Sequence, residues 1–153
     1  MATTNNSFTG SYSYTLDAKG RVNIPAKMRK ALNPVNERTF VATRGPDRCI
    51  VLYPVEVWKE IEEKLVRLNK GPAVNRHYAR NFVRHAESLQ FDQQGRVALA
   101  ADLISYAGIN RHVVIVGMIT YIEIWDGKRL EELGSEMEDR QEELESVAAE
   151  INL

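Results

Sequence analysis

The chain is written twice. Thr15-Leu16-Asp17-Ala18-Lys19-Gly20-Arg21-Val22-Asn23-Ile24-Pro25-Ala26 aligns with Gln90-Phe91-Asp92-Gln93-Gln94-Gly95-Arg96-Val97-Ala98-Leu99-Ala100-Ala101 at an offset of 75 residues. Cys49-Ile50-Val51-Leu52-Tyr53 then matches Tyr121-Ile122-Glu123-Ile124-Trp125 at an offset of 72. A repeat of this kind constrains the fold more than any composition figure, because each copy must solve the same packing problem. Two copies of about 50 residues joined by a linker are expected.

Both copies follow one local pattern. Tyr12, Tyr14 and Leu16 alternate with small or polar residues, a turn follows, and Val22 and Ile24 alternate again, which predicts two strands paired as a hairpin. Gly20 and Gly95 supply the positive φ of the turn, and Asp17 and Asp92 accept hydrogen bonds from backbone N–H groups inside it. Arg21 and Arg96, four residues past each Asp, either close a salt bridge to it or point outward. A short helix is predicted to start at Pro25, with Met28, Ala31 and Leu32 at helical spacing and Asn33-Pro34 as its stop. Its counterpart runs from Asp102 to Ala107, with Gly108 as the C-terminal cap. Apolar runs at Thr39 to Thr43, Cys49 to Tyr53, Val113 to Val116 and Tyr121 to Trp125 read as strands.

Between the copies, Trp58, Ile61, Leu65 and Leu68 predict an amphipathic helix ended by Gly71-Pro72. A second linker helix, Val74 to Ala86, is expected to bury Val74, Tyr78, Phe82 and Val83 and to carry Arg76, Arg80 and Arg84 as one stripe. The last helix, from about Lys128, is Glu-rich with a thin apolar seam of Leu130, Leu133, Met137 and Leu144, ordered over part of its length. The expected division is a first repeat over 8–54, a helical linker over 55–86, a second repeat over 87–126 and an acidic tail over 127–153. The fold class is α+β, mainly β with short helices.

Charge matters by position rather than in total. The formal net charge is −1, which alone argues against a nucleic-acid partner. Residues 17 to 48, however, hold eight basic residues against three acids, and residues 66 to 86 add five more against none. From Glu123 onward eleven acids face three bases. A basic front and an acidic tail are averaged in the total. Lys19 and Arg21 on the first turn, backed by Lys27, Arg29 and Lys30 of the helix that follows, make a modest cationic patch. Several such patches in register would hold DNA through avidity.

The two Asp-x-x-x-Arg motifs, with Leu52-Tyr53-Pro54, Tyr106-Ala107-Gly108-Ile109 and Ile122-Glu123-Ile124-Trp125, make the chain resemble the MraZ family of bacterial transcriptional regulators from about Phe8 to Met137. The resemblance implies a tandem, pseudo-two-fold swapped-hairpin β-barrel of the AbrB type. It also implies a homo-oligomeric ring that binds double-stranded DNA at tandem promoter repeats, usually repressing its own division and cell-wall gene cluster. Carried over by position, DNA contacts centre on Lys19 and Arg21, with Arg96 as the second-copy match and Lys27 and Arg29 in support. Ala100 stands where Pro25 does and Asp102 where Lys27 does, so the first half is expected to grip DNA more tightly.

Other readings follow from the same residues. Each Asp-x-x-x-Arg is also explained as a turn stapled by its own salt bridge, and the Arg76, Arg80, Arg84 stripe serves either DNA or assembly with the acidic tail. A swapped-hairpin antitoxin that binds a protein partner and autoregulates is the alternative function. His77 and His85 are too far apart on one helix to share a metal, so no metal or cofactor is expected. A lone Cys49 excludes an intrachain disulfide. Catalytic spacing is lacking, so neither an enzyme nor a small-molecule substrate is expected. With a polar N-terminus unlike a signal peptide and no apolar run long enough for a membrane span, a cytoplasmic, nucleoid-associated protein is expected. The first seven residues read as a frayed tail.

Overall fold

A computed structural model describes residues 7–153. The expected tail lies outside these residues except for Ser7. The first copy contributes β1 (Ser11–Thr15), β2 (Arg21–Asn23), α1 (Ala26–Ala31), β3 (Thr39–Arg44) and β4 (Ile50–Pro54). Two helices follow, α2 (Val55–Arg67) and α3 (Ala73–Arg84). The second copy contributes β5 (Glu87–Gln90), β6 (Arg96–Ala98), α4 (Ala101–Ala107), β7 (His112–Gly117) and β8 (Ile122–Asp126). The chain ends in α5 (Gly127–Glu138) and α6 (Gln141–Glu150).

The two copies are not separate hairpin units. Within each turn only short-range bonds form, Asp17 N to Arg21 O at 3.0 Å and Asp92 N to Arg96 O at 2.9 Å, and the flanking strands then part. β1 pairs with β7 of the other copy, placing Tyr14 opposite Val113, while β5 pairs with β3, placing Leu89 opposite Phe40. β2 pairs with β6 around a central Val22–Val97 pair. The local hairpin expected from alternation is therefore replaced by a swapped pair. The resulting six-stranded antiparallel sheet has the order β1-β7-β8-β4-β3-β5, which reads the same from both ends once the copies are exchanged. This is the tandem swapped-hairpin α+β fold.

At the sheet's centre β4 is covered on both sides, which explains its near-continuous apolar run. One face, through Phe40, Ile50, Leu52, Ile115, Ile122 and Ile124, joins Val22 and Val97 of the ribbon and Met28 and Leu103 of the short helices in one buried cluster. The opposite face carries Cys49, Val51 and Trp125, with Leu130 and Leu133 of α5 packed against them. Burial pushes the Cys49 thiol well above its ordinary range, so it is packing rather than a reactive group. Trp58 stacks on Phe82 at 5.6 Å, and Thr43 Oγ1 donates to the Phe82 carbonyl at 2.8 Å, fixing the end of α3 to β3.

Two helical expectations are corrected. The apolar side of α3 is largely uncovered: Val74 is 73 % exposed, Tyr78 61 % and Val83 52 %, while Ala79 and the half-buried Phe82 meet the body. Amphipathic spacing reveals an apolar face but not whether the same chain covers it. The terminal helix is two helices separated at Asp139-Arg140, and α5 alone docks on the sheet through its seam. No helix among the described residues is long and apolar enough to cross a membrane.

Gly117 shows how tightly the amino-terminal segment is seated. The backbone bridge between Phe8 and Ile119 crosses directly over it, and a Cβ at Gly117 would lie 2.5 Å from Phe8 carbonyl carbon and from Thr9 N. Gly117→Ala is expected to cost about 1–3 kcal/mol through this overpacking, read as a lower midpoint in urea denaturation. An unchanged midpoint would show that the segment yields freely.

Candidate nucleic-acid interface

The two Asp-Gly-Arg turns repeat one geometry. Asp17 Oδ1 accepts from Lys19 N at 2.9 Å and Arg21 N at 2.8 Å, while its Oδ2 takes the Arg21 Nε at 2.7 Å. Asp92 does the same with Gln94 N, Arg96 N and Arg96 Nε at 2.9, 2.9 and 3.0 Å. Gly20 and Gly95 adopt φ of 76° and 80°, the left-handed region in which a side chain would be strained. The stapled-turn reading is thus realised in both copies. It leaves the guanidinium's two Nη groups unengaged by the Asp, with the Nε bond fixing the direction of the fork.

The strand exchange brings these turns together. In the β2–β6 ribbon Arg21 lies opposite Ala98 and Arg96 opposite Asn23, so all four residues share the face away from the Val22–Val97 pair. Arg21 and Arg96, 75 residues apart in sequence, become diagonal neighbours whose Cα atoms are about 7–8 Å apart in such a ladder. Asn23 is a member of this face that the motif does not reveal; the signal was its two-residue step from Arg21, legible only once the ribbon partner is known. Its Nδ2 donates to the Gln94 carbonyl at 3.4 Å.

The helix cations are distributed differently from the expectation. Arg29 lies over the second turn, not the first: a Cβ at Gly95 would sit 2.5 Å from its Nε and Cζ. Its Nε donates to the Ile24 carbonyl at 2.9 Å. Across the pseudo-dyad Ile104 takes the equivalent place, 3.2 Å from a Cβ built on Gly20. The patch in which Lys19 and Arg21 are backed by Arg29 is therefore corrected; Arg29 flanks Asp92 and Arg96, because the swapped ribbon lays each short helix beside the other copy's turn. Lys27 reaches Thr9 Oγ1 at 3.4 Å, and Lys30 is exposed. Asp102, at the position of Lys27, accepts from or pairs with His85 Nδ1 at 3.0 Å, a hydrogen bond that holds its carboxyl below the usual range.

Arg76, Arg80 and Arg84 stand exposed along α3. Phe82 of α3 packs with Tyr53 on the sheet face opposite the ribbon. Arg76 is folded back, its Nη1 donating to the Lys70 carbonyl at 3.0 Å. Among the described residues no group of three or more His, Cys, Asp and Glu is placed to hold a metal ion.

A family model described as "MraZ protein, putative antitoxin-like" matches the chain twice, over residues 7–81 and 82–150. The chain belongs to the MraZ family. It is 38 % identical over 144 residues to the transcriptional regulator MraZ of Natranaerobius thermophilus, covering 94 % of this chain and 96 % of that one. The transcriptional regulator MraZ of Syntrophomonas wolfei subsp. wolfei is 41 % identical over 137 residues, 90 % and 93 % of the two chains. The MraZ regulator of Lactobacillus delbrueckii subsp. bulgaricus is 39 % identical over 146 residues, 95 % and 99 %. The two MraZ matches divide the chain within α3, and each takes in one Asp-x-x-x-Arg turn.

The turns carry a pH dependence of known sign. Backbone hydrogen bonds from the following Arg, chief among the causes, hold both Asp17 and Asp92 below the ordinary 3.8. A carboxylate depressed in the folded state contributes order above its unfolded value and loses it as pH falls through the depressed one. The amide resonances of Lys19, Arg21, Gln94 and Arg96 should therefore hold steady above 3.8 and move together below it in a two-dimensional NMR titration. Shifts centred above that value would contradict the hydrogen-bonded turn.

Proposed function

We propose that the protein is a sequence-specific DNA-binding regulator of transcription, a repressor of its own division and cell-wall gene cluster that binds tandem promoter repeats as a ring of identical subunits. One observation carries this reading: the ribbon presents Arg21 and Arg96 on one face, each guanidinium held by its own Asp. A two-stranded ribbon fits the major groove, and an Arg fork matches the O6 and N7 acceptors of guanine. Aligning the fork beforehand lowers the ordering cost of binding. Lys19, Lys27 and Arg29 flank the ribbon as phosphate contacts, which position the protein on the duplex. One ribbon neutralises few phosphates, so affinity comes from several copies engaging neighbouring repeats. Such a protein acts in the cytoplasm at the nucleoid.

The two turns read DNA as a single unit. The first copy is expected to contribute more, since Asp102 stands where Lys27 does, and Arg29 beside the second turn narrows the difference. The antitoxin-like reading draws on the description of the matched family and on the exposed acidic tail; a toxin gene beside this one would favour it, and division genes would favour the repressor.

Arg21→Ala and Arg96→Ala are each expected to weaken binding to the promoter repeats by about 1–3 kcal/mol, and to relax base preference, without changing subunit mass. Arg29→Ile, which copies Ile104, should weaken binding to all sequences and flatten the salt dependence. Gel shifts at fixed salt on DNA from upstream of the gene test this; unchanged affinity in both Arg→Ala variants would sink it.

A further inference from the structure

Two unpartnered surfaces of this chain complement each other. The first is α3 and the clefts beside it, walled by Tyr53 of the sheet and Tyr106 of α4. Tyr53, Tyr78 and Phe82 line both of two adjoining clefts, about 590 and 350 Å³ in volume. Val74 stands at the rim of the larger, 73 % exposed. Arg44 forms part of the larger cleft's wall with its guanidinium 4.5 Å over the Tyr106 ring, and its buried Nε has no hydrogen-bond partner. Stacked on that ring, Arg44 adds a fixed cation to the cleft's wall. Arg80 and Arg84 lie exposed on the same helix, within a stretch, residues 66 to 86, that has five basic residues and no acid.

The second surface is α6. Leu144, Val147 and Ile151 are 43, 54 and 59 % exposed and fall at i, i+3 and i+7, a single apolar stripe. Glu142, Glu143, Glu145 and Glu150 surround it. A helix of 10 residues is marginal on propensity alone and depends on packing its apolar face. The one helix–helix packing that α6 makes in quantity is with α5.

We propose that α6 of one copy docks into the α3 clefts of the next copy. Leu144, Val147 and Ile151 enter beside Tyr78 and Val74, and the glutamates meet Arg80, Arg84 and Arg44. Opposite charge favours this pairing and sets its orientation. Donor and acceptor are different surfaces, so the contact is head-to-tail, the type that closes into a ring when the rotation permits. The docking rests on the ring reading above and names the surface that builds it.

The test uses the full chain with Val147→p-benzoylphenylalanine, mixing natural-abundance and ¹⁵N-labelled copies before irradiation. The expected product is a mixed-isotope crosslink to a peptide within residues 73–84. Crosslinks that are never of mixed isotope, or that fall in another region, overturn the docking. In light scattering, Arg80→Glu with Arg84→Glu should raise the concentration for assembly about tenfold or more, Glu142→Lys with Glu145→Lys should do the same, and combining the two pairs should restore it. Retained assembly in both separate variants overturns the docking while leaving a ring; a monomeric unmodified protein overturns both.

Discussion

Everything in this molecule depends on strand exchange around the Val22–Val97 pair. A three-residue strand such as β2 or β6 has too few ladder bonds and too little apolar surface to stand alone. Paired across the pseudo-dyad, the two strands put their valines into the common core and turn their remaining residues outward. The same exchange sends β1 to β7 and β5 to β3, so that each edge of the six-stranded sheet is supplied by the other copy. Neither repeat completes its sheet without its twin.

That topology divides the labour between the two faces of the sheet. On one face the ribbon gathers both Asp-Gly-Arg turns with Arg29. On the other, the aromatic cluster of Tyr53, Trp58, Phe82 and Tyr121 ties α2 and α3 to the sheet. Burial drives the Tyr53 hydroxyl up to about 12, as expected of a phenol used for packing. A net charge near zero is the sum of these separated surfaces and the acidic helices α5 and α6, and it describes none of them.

Much of this was legible in the residues. The turns were, because their chemistry is complete within five positions: an Asp to accept, a Gly for positive φ and an Arg to close the clamp. So were the strands β3, β4, β7 and β8 and the cap at Gly108, whose φ is 63°. Strand partners were not, since alternation marks a face to be buried without naming what buries it. For the same reason the apolar spacing of Val74, Tyr78 and Val83 suggested burial where the chain leaves them open. Sequence proximity puts Arg29 with the turn of its own copy, whereas the turn it lies over is 66 residues away at Gly95.

By itself the sequence determined the two clamped turns, the duplicated α+β grammar and where along the chain the cations and acids fall. Hydrogen bonds and sterics inside a turn act over a few residues, and no distant neighbour is required to satisfy them. Tertiary structure alone decided that Arg21 and Arg96 share one face, that Arg29 serves the second turn, and that α3 and α6 remain uncovered. Those outcomes turn on which apolar surfaces are buried together across 75 residues of chain, and that choice is made by the packed core as a whole.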